Sequence, residues 1–374
     1  MTYRLLDWLA CPRNSCFPLK ITAAIERQLP ACSAGTSPIR CDAYCGRRQA
    51  PVDEIPAEEC LACATVEVVE GEIRCECCGA ISTLTDGIPD MLPPELAAAA
   101  RLGAAASAPR GLMDKASEMA VRDQQAASYD SRRNPFDREA ELGALLRSLD
   151  VRPRDRILDG GAGTGFVTLA CVARNVELAA VDFSRESLKM LRSAIPLPLL
   201  SQTHLVQADL TRLPFRDRIF DKAVQAQVLE HLPTAEDRDA AVSETKRVLT
   251  RGGRFVLSAY NFSLWKKRSA ARGEVHFAQR EGYHGGRIYY RNFEAAELRA
   301  LLSQHFQVRS IRGVINELPE DLQYRLRPFG LLVERGLQMT PLSVHLGRLL
   351  VASCRREGQP PTPNERSSSP RPAA

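Results

Sequence analysis

The sequence of 374 residues contains no apolar run as long as the 18 or so residues that a membrane-spanning helix requires. Its opening stretch, MTYRLLDWLAC, places Asp7 inside what would be a very short signal core, so we do not expect export. Neither sign of charge dominates, because the sequence contains 50 Lys and Arg residues and 45 Asp and Glu residues. The formal net charge of +5 is compatible with an acidic partner such as RNA but does not require one. We therefore expect a cytoplasmic protein of two or more domains.

Cysteine is nearly absent after residue 78, where only Cys171 and Cys354 follow. The first 78 residues hold ten cysteines, and eight of them form close pairs: Cys11 with Cys16, Cys41 with Cys45, Cys60 with Cys63, and Cys75 with Cys78. The C-x-x-C spacing of the last two pairs lets two thiolates on one tight turn reach one ion. Because a reducing cytosol disfavours disulfides, these pairs favour two zinc sites. Disulfides, unliganded buried thiols and iron–sulfur ligation are the alternatives.

The middle and the end of the chain each contain a segment without a clear apolar stripe. An Ala-rich stretch with Pro and Gly at both ends runs from Pro93 to Met113, and the last residues are rich in Pro and Ser. We therefore divide the chain into a cysteine-rich domain at 1–94, a partly helical linker at 95–124, a second domain at 125–355 and a disordered tail at 356–374.

Short apolar runs alternate with helical patterns in the second domain. The strand-like runs are RILD (156–159), VELAAVD (176–182), THLVQAD (203–209), FDKAVQAQ (220–227) and GRFVLSAY (253–260). Helical spacing in the segments between them predicts crossovers on a parallel sheet and hence a doubly wound α/β fold. Two further runs near the C-terminus, FQVRSIRGVI and GRLLVASCR, predict a closing antiparallel pair and a sheet of seven strands.

The first of these strands is followed by a turn that lacks one glycine of a dinucleotide-binding fingerprint. In RILDGGAGTGF, Phe166 stands where that fingerprint has its third glycine. Asp159 ends the strand, and Gly161, Gly163 and Gly165 follow at alternate positions. Such a turn brings backbone N–H groups close to a ligand at the carboxyl edge of the sheet. We therefore predict a ligand cradle and consider NAD a weaker candidate.

Acidic residues also follow the second and third strands. Asp182 ends the second strand, where a carboxylate can accept hydrogen bonds from both hydroxyls of a ribose. Asp209 follows the third strand at the same edge, where it could accept an adenine amino group. Each aspartate could instead cap the helix after it, but three acids beside a glycine turn favour a binding crevice.

The region from Gln125 to Arg355 resembles class I S-adenosylmethionine-dependent methyltransferases, especially the quinone-ring group. The resemblance lies in ILDGGAGTG, AVDFS, VQADLTRLPFRDRIFDKAVQAQVLEHL and RVLTRGGRFVLSAYN, which occur in the family's order. It implies a Rossmann-like fold and S-adenosylmethionine as cofactor. The residues that it assigns to the cofactor are Tyr129, Asp159, Gly161, Gly163, Gly165, Asp182, Phe183, Asp209, Leu210 and Gln225. In that assignment Asp182 holds the ribose, Phe183 flanks the adenine, Asp209 takes its amine and Gln225 lies near the sulfonium.

The cysteine-rich domain resembles the small zinc-ribbon partner subunits of tRNA, rRNA and release-factor methyltransferases. The matching stretches are LLDWLACP, PLK and RCECCGAISTLTDGIPDMLP. By this resemblance Cys11, Cys16, Cys75 and Cys78 form one zinc site, although four residues rather than two separate the first pair. Spacing alone assigns Cys41, Cys45, Cys60 and Cys63 to a second site, and Cys32 and Cys77 receive no role. A protein partner could bind through this domain.

The sequence identifies no catalytic residue. Candidate acceptor contacts after the fifth strand are His276, Tyr283, His284, Tyr289 and Tyr290, and His231 could be either a base or a packing residue. Lys266, Lys267, Arg268 and Arg272 near Trp265 could form an RNA-binding patch or a solvated face. The Asn/Asp-Pro-Pro-Tyr signature of exocyclic amine methylation is absent. We therefore favour methyl transfer to a small organic acceptor by in-line displacement. An RNA base methyltransferase and a non-catalytic partner protein are the alternatives.

Overall fold

The N-terminal unit is built around a four-stranded antiparallel sheet. The computed structural model describes residues 1–30, 40–102, 109–129, 131, 133–273, 279–285, 287–316 and 329–358. The unit begins with a 3-10 helix, Tyr3–Asp7, and its further elements are β1 (Lys20–Gln28), β2 (Tyr44–Cys45), β3 (Ala50–Pro51), α1 (Ala57–Thr65), β4 (Val66–Arg74), β5 (Ile81–Thr85) and β6 (Ile88–Pro89). The sheet order is β1-β4-β5-β6, while β2 and β3 form a separate hairpin. Cys32 lies outside the described residues.

Two helices occupy most of the segment that we predicted to be a linker. They are α2 (Pro94–Leu102) and α3 (Arg110–Gln125). Leu96 and Ala99 of α2 pack against Ala116 of α3, and the high helix propensity of alanine explains why the Ala-rich stretch is helical. The segment 95–124, which we predicted to be a partly helical linker, thus contains two helices, and α3 packs against residues of the second domain.

The second domain contains the predicted seven-stranded sheet. Its strands are β7 (Arg156–Gly160), β8 (Glu177–Asp182), β9 (Thr203–Gln207), β10 (Phe220–Ala226), β11 (Leu249–Tyr260), β14 (Gln307–Asn316) and β15 (Gly347–Arg355), with the hairpin β12 (Glu281–His284) and β13 (Ile288–Arg291) beside it. Its helices are α4 (Pro135–Leu149), α5 (Thr168–Val172), α6 (Arg185–Ala194), α7 (Ala235–Val248), α8 (Leu264–Arg272), α9 (Ala295–Ser303), α10 (Phe329–Gln338) and α11 (Ser343–Leu346).

The order of the strands determines where a ligand can bind. The sheet runs β14-β15-β11-β10-β7-β8-β9, with β15 antiparallel to both of its neighbours and the other strands parallel. From β7 the chain first moves through β8 to β9 and then returns to β10 on the other side of β7. This reversal opens a crevice at the carboxyl edge between β7 and β10, the usual position of a ligand site in such sheets. The predicted fold class is confirmed.

The N-terminal unit and the sheet share one hydrophobic core. Trp8 is fully buried, and its ring contacts His204 of β9 and Phe220 of β10 at centroid distances of 5.0 and 5.5 Å. Just after β6, Asp90 forms a parallel bridge with Gln207, and the Met91 N–H donates to the Gln207 carbonyl over 2.8 Å. The N-terminal unit therefore covers the β9 edge of the sheet.

Buried ion pairs reinforce this junction. The guanidinium of Arg4 donates to both carboxylate oxygens of Glu177 over 3.0 and 3.1 Å and to Asp7 over 3.2 Å. Arg156 also donates to Glu177, over 3.2 Å, and pairs with Asp42. Because Arg4 is completely buried, its positive charge must be balanced within the protein.

The end of the chain returns to the sheet before the described residues stop. The Arg356 side chain donates to the Lys246 carbonyl over 2.7 Å. The predicted tail is therefore ordered at Arg356, while residues 359–374 lie outside the described part of the chain. Within the described residues, no helix is both long enough and apolar enough to cross a membrane.

Substitution of Arg4 by alanine should strongly destabilise the whole protein. The change removes the buried guanidinium that pairs with Asp7 and Glu177, and breaking such a buried ion pair costs about 3–5 kcal/mol. We expect this loss in the free energy of unfolding from urea titration. Arg48→Ala is the matched control, because Arg48 pairs with Glu59 at the surface and should lose at most about 1 kcal/mol. Equal losses in the two variants would contradict a central role for Arg4.

Candidate functional site

The glycine turn after β7 adopts a backbone conformation that side chains rarely allow. Gly161, Gly163 and Gly165 have φ values of 74°, 52° and 103°. A Cβ atom at Gly161 would lie 2.3 Å from Cγ2 of Val228, and one at Gly165 would lie 2.4 Å from Cδ1 of Leu191. Around Gly163 there is open space instead. The first and third glycines therefore permit close packing, while the middle glycine leaves room at the crevice.

Asp182, at the end of β8, fixes this turn. Its Oδ2 accepts a hydrogen bond from the Gly163 N–H over 2.8 Å, and its Oδ1 accepts one from the Ser184 N–H over 2.8 Å. Burial raises the pKa of Asp182, which these two N–H groups partly oppose. The carboxylate thus joins the turn after β7 to the N-terminus of α6 at the crevice.

Most of the predicted cofactor residues line one crevice that opens to solvent. The predicted residues in its lining are Tyr129, Asp159, Gly161, Gly163, Asp182, Phe183, Asp209 and Leu210. Asp159 accepts a hydrogen bond from the Thr168 hydroxyl over 2.6 Å, and burial raises its pKa to about 7. Gly165 does not line the crevice but shapes the turn beneath it.

Gln225, which the resemblance places near the sulfonium, does not line the crevice. Its side chain is buried, and Nε2 donates to the Thr245 hydroxyl of α7 over 3.0 Å. Side chains alternate between the faces of a strand, and this alternation directs Gln225 toward α7. The residues that follow it, Ala226, Gln227 and Val228, line the crevice instead.

One face of α3 covers the crevice, which the sequence analysis did not anticipate. Lys115, Glu118 and Arg122 line it at the spacing i, i+3, i+7, which is typical of a single helix face. Lys115 pairs with Asp209 over 3.0 Å and with Asp237 over 2.6 Å. Glu118 pairs with Arg122 over 3.0 Å, and burial raises the pKa of Glu118 to about 7. The charge spacing of 115, 118 and 122 was the available signal, and the assumption of a linker concealed it.

Four aromatic or imidazole rings lie together near one end of the crevice. His231, which lines the crevice, lies 5.6 Å from Tyr260 and 6.3 Å from His284 between ring centroids, and His284 stacks on Tyr290 at 4.3 Å. We call these four residues the ring cluster. It contains two of the predicted acceptor contacts, whereas Tyr283 donates to Asp114 and Tyr289 donates to Glu281. His276 lies outside the described residues.

The protonation state of His231 follows from its contacts. Its Nδ1 lies 2.8 Å from the Tyr289 carbonyl oxygen, which can only accept, so Nδ1 carries the hydrogen and Nε2 keeps a lone pair. Burial holds the pKa of His231 well below its usual range. His231 is therefore a neutral imidazole in the crevice wall, with a preferred tautomer.

The N-terminal cysteines form two groups. The sulfur atoms of Cys11, Cys75 and Cys78 all lie within 4.8 Å of one another. Cys16 was predicted to complete this set, but the structure joins Cys16 to Cys77 in a disulfide. The longer loop between Cys11 and Cys16 places the Cys16 sulfur beside Cys77, which therefore has a partner that the sequence did not reveal.

The second group consists of four buried cysteines. Sulfur atoms of Cys41, Cys60 and Cys63 lie within 4.8 Å of one another, and Cys45 Sγ lies 3.5 Å from Cys63 Sγ. Helix α1 carries Cys60 and Cys63 on one face, while the loop before β2 and β2 itself supply Cys41 and Cys45. Four converging sulfur donors are the ligand type that tetrahedral zinc prefers.

The sequence of the second domain matches a family model described as a methyltransferase domain, over residues 158–257. The match begins in β7, covers the glycine turn, Asp182 and Asp209, and ends in β11. Residues 158–257 are therefore similar to a methyltransferase domain. The glycine turn, Asp182 and Asp209, which lie in the crevice described above, all fall within this match.

Curated relatives match only part of the chain. A demethylmenaquinone methyltransferase of Streptomyces avermitilis is 32% identical over 122 residues, which are 32% of this chain and 49% of that protein. A malonyl-[acyl-carrier protein] O-methyltransferase of Geobacter sulfurreducens is 31% identical over 184 residues, 48% of this chain and 65% of that protein. The chain thus spans about half to two thirds of the length of these relatives.

Solved structures of low sequence identity were also found. A Haloferax volcanii complex of the Trm112 methyltransferase activator with a methyltransferase gives a TM-score of 0.45 at 17% identity, covering 63% of this chain and 98% of that one. An S-adenosylmethionine-dependent methyltransferase from Mesorhizobium loti gives 0.43 at 20% identity, covering 59% of this chain and all of that one, 100%.

Glu230, next to His231, should make the stability of the protein depend on pH. Neither carboxyl oxygen has a hydrogen-bond partner among the described residues, and burial, with Glu141 nearby, raises the pKa of Glu230 to about 8. The unfolded chain loses this proton near pH 4.5. Between pH 4.5 and about 8 the unfolded chain has lost this proton while the folded protein still holds it. The free energy of unfolding should therefore fall as the pH rises to about 8.

Glu230→Gln should remove this contribution and flatten the decline. The measurement is the free energy of unfolding at pH 5, 6, 7 and 8 for both proteins. Glu58→Gln, at an exposed position of α1, serves as control and should retain the slope of the unmodified protein. A slope for Glu230→Gln as steep as that of the control would show that Glu230 is already ionised in the folded state.

Proposed function

We propose that this protein is a cytoplasmic enzyme that transfers a methyl group from S-adenosylmethionine to a small organic acceptor. The observation that carries this proposal is the combination of the glycine turn, Asp182 and Asp209 in one crevice at the carboxyl edge of the sheet. The domain match and the crevice support the same interpretation independently. The cytoplasmic location rests on the zinc sites proposed below, because their cysteines would have to be reduced.

The crevice offers complementary groups for each part of the cofactor. The Asp182 carboxylate would accept the ribose hydroxyls, and the ring of Phe183 would pack on the adenine. Asp209 would accept the adenine amino group beside Lys115, which already pairs with the same carboxylate. Gly163 would leave the space for the methionine part, and Gly161 allows the turn to pack closely against Val228. Tyr129 and Leu210 would line the rest of this part of the crevice.

The ring cluster is the region that we assign to the acceptor. Bound S-adenosylmethionine supplies an electrophilic methyl group on a sulfonium. The protein must then hold the acceptor in line with that group and exclude water, for which a wall of packed rings is suitable. The neutral Nε2 of His231 would accept a proton from an acceptor hydroxyl, amine or activated carbon as the new bond forms.

Several contacts favour a small acceptor over RNA. Lys266 donates to Asn292 over 2.7 Å, and Lys267 pairs with Glu294 over 3.2 Å, so both have partners within the protein. The ring cluster lies on a hairpin and strand end beside the crevice rather than along an extended basic groove, which single-stranded RNA requires. Methylation of RNA remains an outcome that the assay below would detect.

The N-terminal unit supports the methyltransferase domain of its own chain in this proposal. Trp8 is buried against β9 and β10, and residues after β6 bridge to Gln207. A surface that is buried within the chain in this way is not accessible to another protein. The unit therefore stabilises the domain rather than recruiting a second protein at this junction.

Asp182→Asn should weaken the binding of S-adenosylmethionine by about 10- to 100-fold, because a hydrogen-bonding carboxylate becomes an amide with one acceptor atom. Isothermal titration calorimetry measures the affinity directly. Asp217→Asn, at an exposed position that pairs with Arg247, is the control and should bind normally. Unchanged affinity in Asp182→Asn would contradict the assigned crevice.

A second assay in the same experiment identifies the acceptor class. Labelled S-adenosylmethionine is incubated with the protein and either total cellular RNA or a small-molecule extract. We expect label in the extract and release of S-adenosylhomocysteine. Label in RNA that ribonuclease removes would favour the RNA alternative, and binding without any turnover would favour a non-catalytic role.

We further propose that the cysteine groups hold two zinc ions in the reduced protein. Cys11, Cys16, Cys75 and Cys78 would bind one ion after reduction of the bond between Cys16 and Cys77. Cys41, Cys45, Cys60 and Cys63 would bind the other. Four thiolates complete a closed tetrahedral site, and such sites stabilise folding rather than perform chemistry.

Metal analysis of protein purified under reducing conditions should give two zinc ions per chain. Cys60→Ser should lose one ion and Cys78→Ser the other, whereas Cys354→Ser, at a buried thiol in β15, should retain both. Cys16→Ser and Cys77→Ser distinguish the two assignments of the first site. Loss of zinc only in Cys77→Ser would replace Cys16 by Cys77 as the fourth ligand, and a metal-free protein would contradict both sites.

A further inference from the structure

Helix α10 buries polar side chains and exposes apolar ones, which is the reverse of the usual arrangement of a surface helix. Its polar residues Glu334 and Gln338 are buried, and Glu334 accepts hydrogen bonds from the backbone N–H groups of Ile315 and Asn316 over 2.7 and 2.9 Å. Gln338 donates to Glu334 over 3.0 Å. These bonds fix the orientation of the helix, so the opposite face cannot turn inward without leaving a buried carboxylate unpaired.

The opposite face consists of large apolar side chains. Phe329 and Leu332 are 66% and 63% exposed, and Met339, just after the helix, is 74% exposed. Val333, Leu342 and Leu346 are exposed as well. A surface helix normally has the reverse distribution, and several large apolar side chains exposed on one helix and the turn after it indicate an interaction surface.

Helix α10 contributes positive charge to this surface. Between residues 329 and 348 the only acidic residue is the buried Glu334. Arg335 is exposed, and burial together with Arg335 and Arg312 lowers the pKa of Arg147. Arg348 pairs with Asp137. The exposed charge on α10 itself is therefore positive.

Helix α8 extends the same surface. It packs against α11, and its sequence LWKKRSAAR contains four basic residues and no acid. Leu264 and Trp265 are exposed at its start. We define the apolar–basic face by its exposed members on these elements: Leu264, Trp265, Arg268, Phe329, Leu332, Val333, Arg335, Met339, Leu342 and Leu346.

The topology places this face at the same edge of the sheet as the crevice. Helix α8 follows the carboxyl end of β11, whose last residue, Tyr260, belongs to the ring cluster. Because β14 pairs antiparallel with β15, and β15 pairs antiparallel with β11, β14 also ends at this edge, where α10 follows it. Helix α11 directly precedes β15 at the same edge. The apolar–basic face and the ring cluster therefore lie at the same edge of the sheet.

We propose that the apolar–basic face docks on a membrane surface that contains anionic lipids. Exposed Phe, Leu, Met and Trp side chains can enter the boundary between headgroups and acyl chains, and arginine and lysine can pair with the headgroup phosphates. An RNA surface would match the positive charge but not the aliphatic side chains. The proposal concerns a different surface from the cofactor crevice and does not depend on the proposed methyl transfer.

The test is flotation of the full-length protein with vesicles. Vesicles of phosphatidylcholine with phosphatidylglycerol should bind the protein, and vesicles of phosphatidylcholine alone should bind it at least tenfold more weakly. Binding should weaken as salt rises, because the headgroup contacts are electrostatic. Failure of the unmodified protein to float with the anionic vesicles would overturn the proposal.

Substitutions distinguish the apolar from the charged contribution. The triple variant Phe329→Ser, Leu332→Ser, Val333→Ser should reduce the partition coefficient at least tenfold, and Arg268→Glu with Arg335→Glu should abolish the preference for anionic lipid. The matched control is Ile25→Ser with Ile81→Ser, since these residues are 49% and 51% exposed in the N-terminal unit. Equal binding by the control and the triple variant would contradict the assigned face.

Two further measurements exclude other occupants and a folding artefact. Light scattering should show the same mass for the unmodified protein and the triple variant, and a dimer that the triple variant dissociates would assign the face to a second copy of the chain instead. Affinity for S-adenosylmethionine should be the same in the triple variant, because these residues do not line the crevice. A triple variant that loses both vesicle and cofactor binding is misfolded, and Leu342→Ser with Met339→Ser then provides the deciding comparison with the control.

Discussion

The buried contact between Arg4 and Glu177 is the interaction on which the rest of the structure depends. It joins the first helix of the N-terminal unit to β8, the strand that ends at Asp182. Asp7, held by the same arginine, accepts hydrogen bonds from the N–H groups of Asp42, Ala43 and Tyr44 and thereby fixes the chain around the second cysteine group. One guanidinium thus connects a candidate metal site to the sheet that builds the crevice.

The sequence predicted the sheet well because its strands are short, apolar and separated by helical patterns. All seven strands lie where the pattern indicates, and Asp182 and Asp209 meet at one edge because the strands before them are parallel. The family resemblance assigned Gln225 to the cofactor, whereas the alternation of side chains along β10 directs it toward Thr245 of α7. Sequence patterns also cannot distinguish a Cys16–Cys77 disulfide from Cys16 as a metal ligand, since both require only that the sulfur atoms lie close together.

The contact of helix α3 with the crevice was not predicted, for a different physical reason. Its buried positions include Glu118, while the alanines around it give a weak apolar stripe, so the periodicity that identifies a core helix is faint. The helix is determined instead by charges that find partners on other elements, such as Lys115 with Asp209 and Asp237. A pattern of neighbouring residues cannot show which distant residue a charged side chain will pair with. These pairs nevertheless hold α3 in place, so that it forms one wall of the crevice.

The bridge between Asp90 and Gln207 places the N-terminal unit along the β9 edge of the sheet, and both belong to one polypeptide. Covalent connection fixes their ratio at one to one and makes their association intramolecular, so that it depends on effective concentration and not on the amount of protein present. Dilution, which separates the subunits of a reversible complex, therefore has no effect on this contact. The exposed backbone groups of an edge strand are protected at any concentration, which removes one route to aggregation.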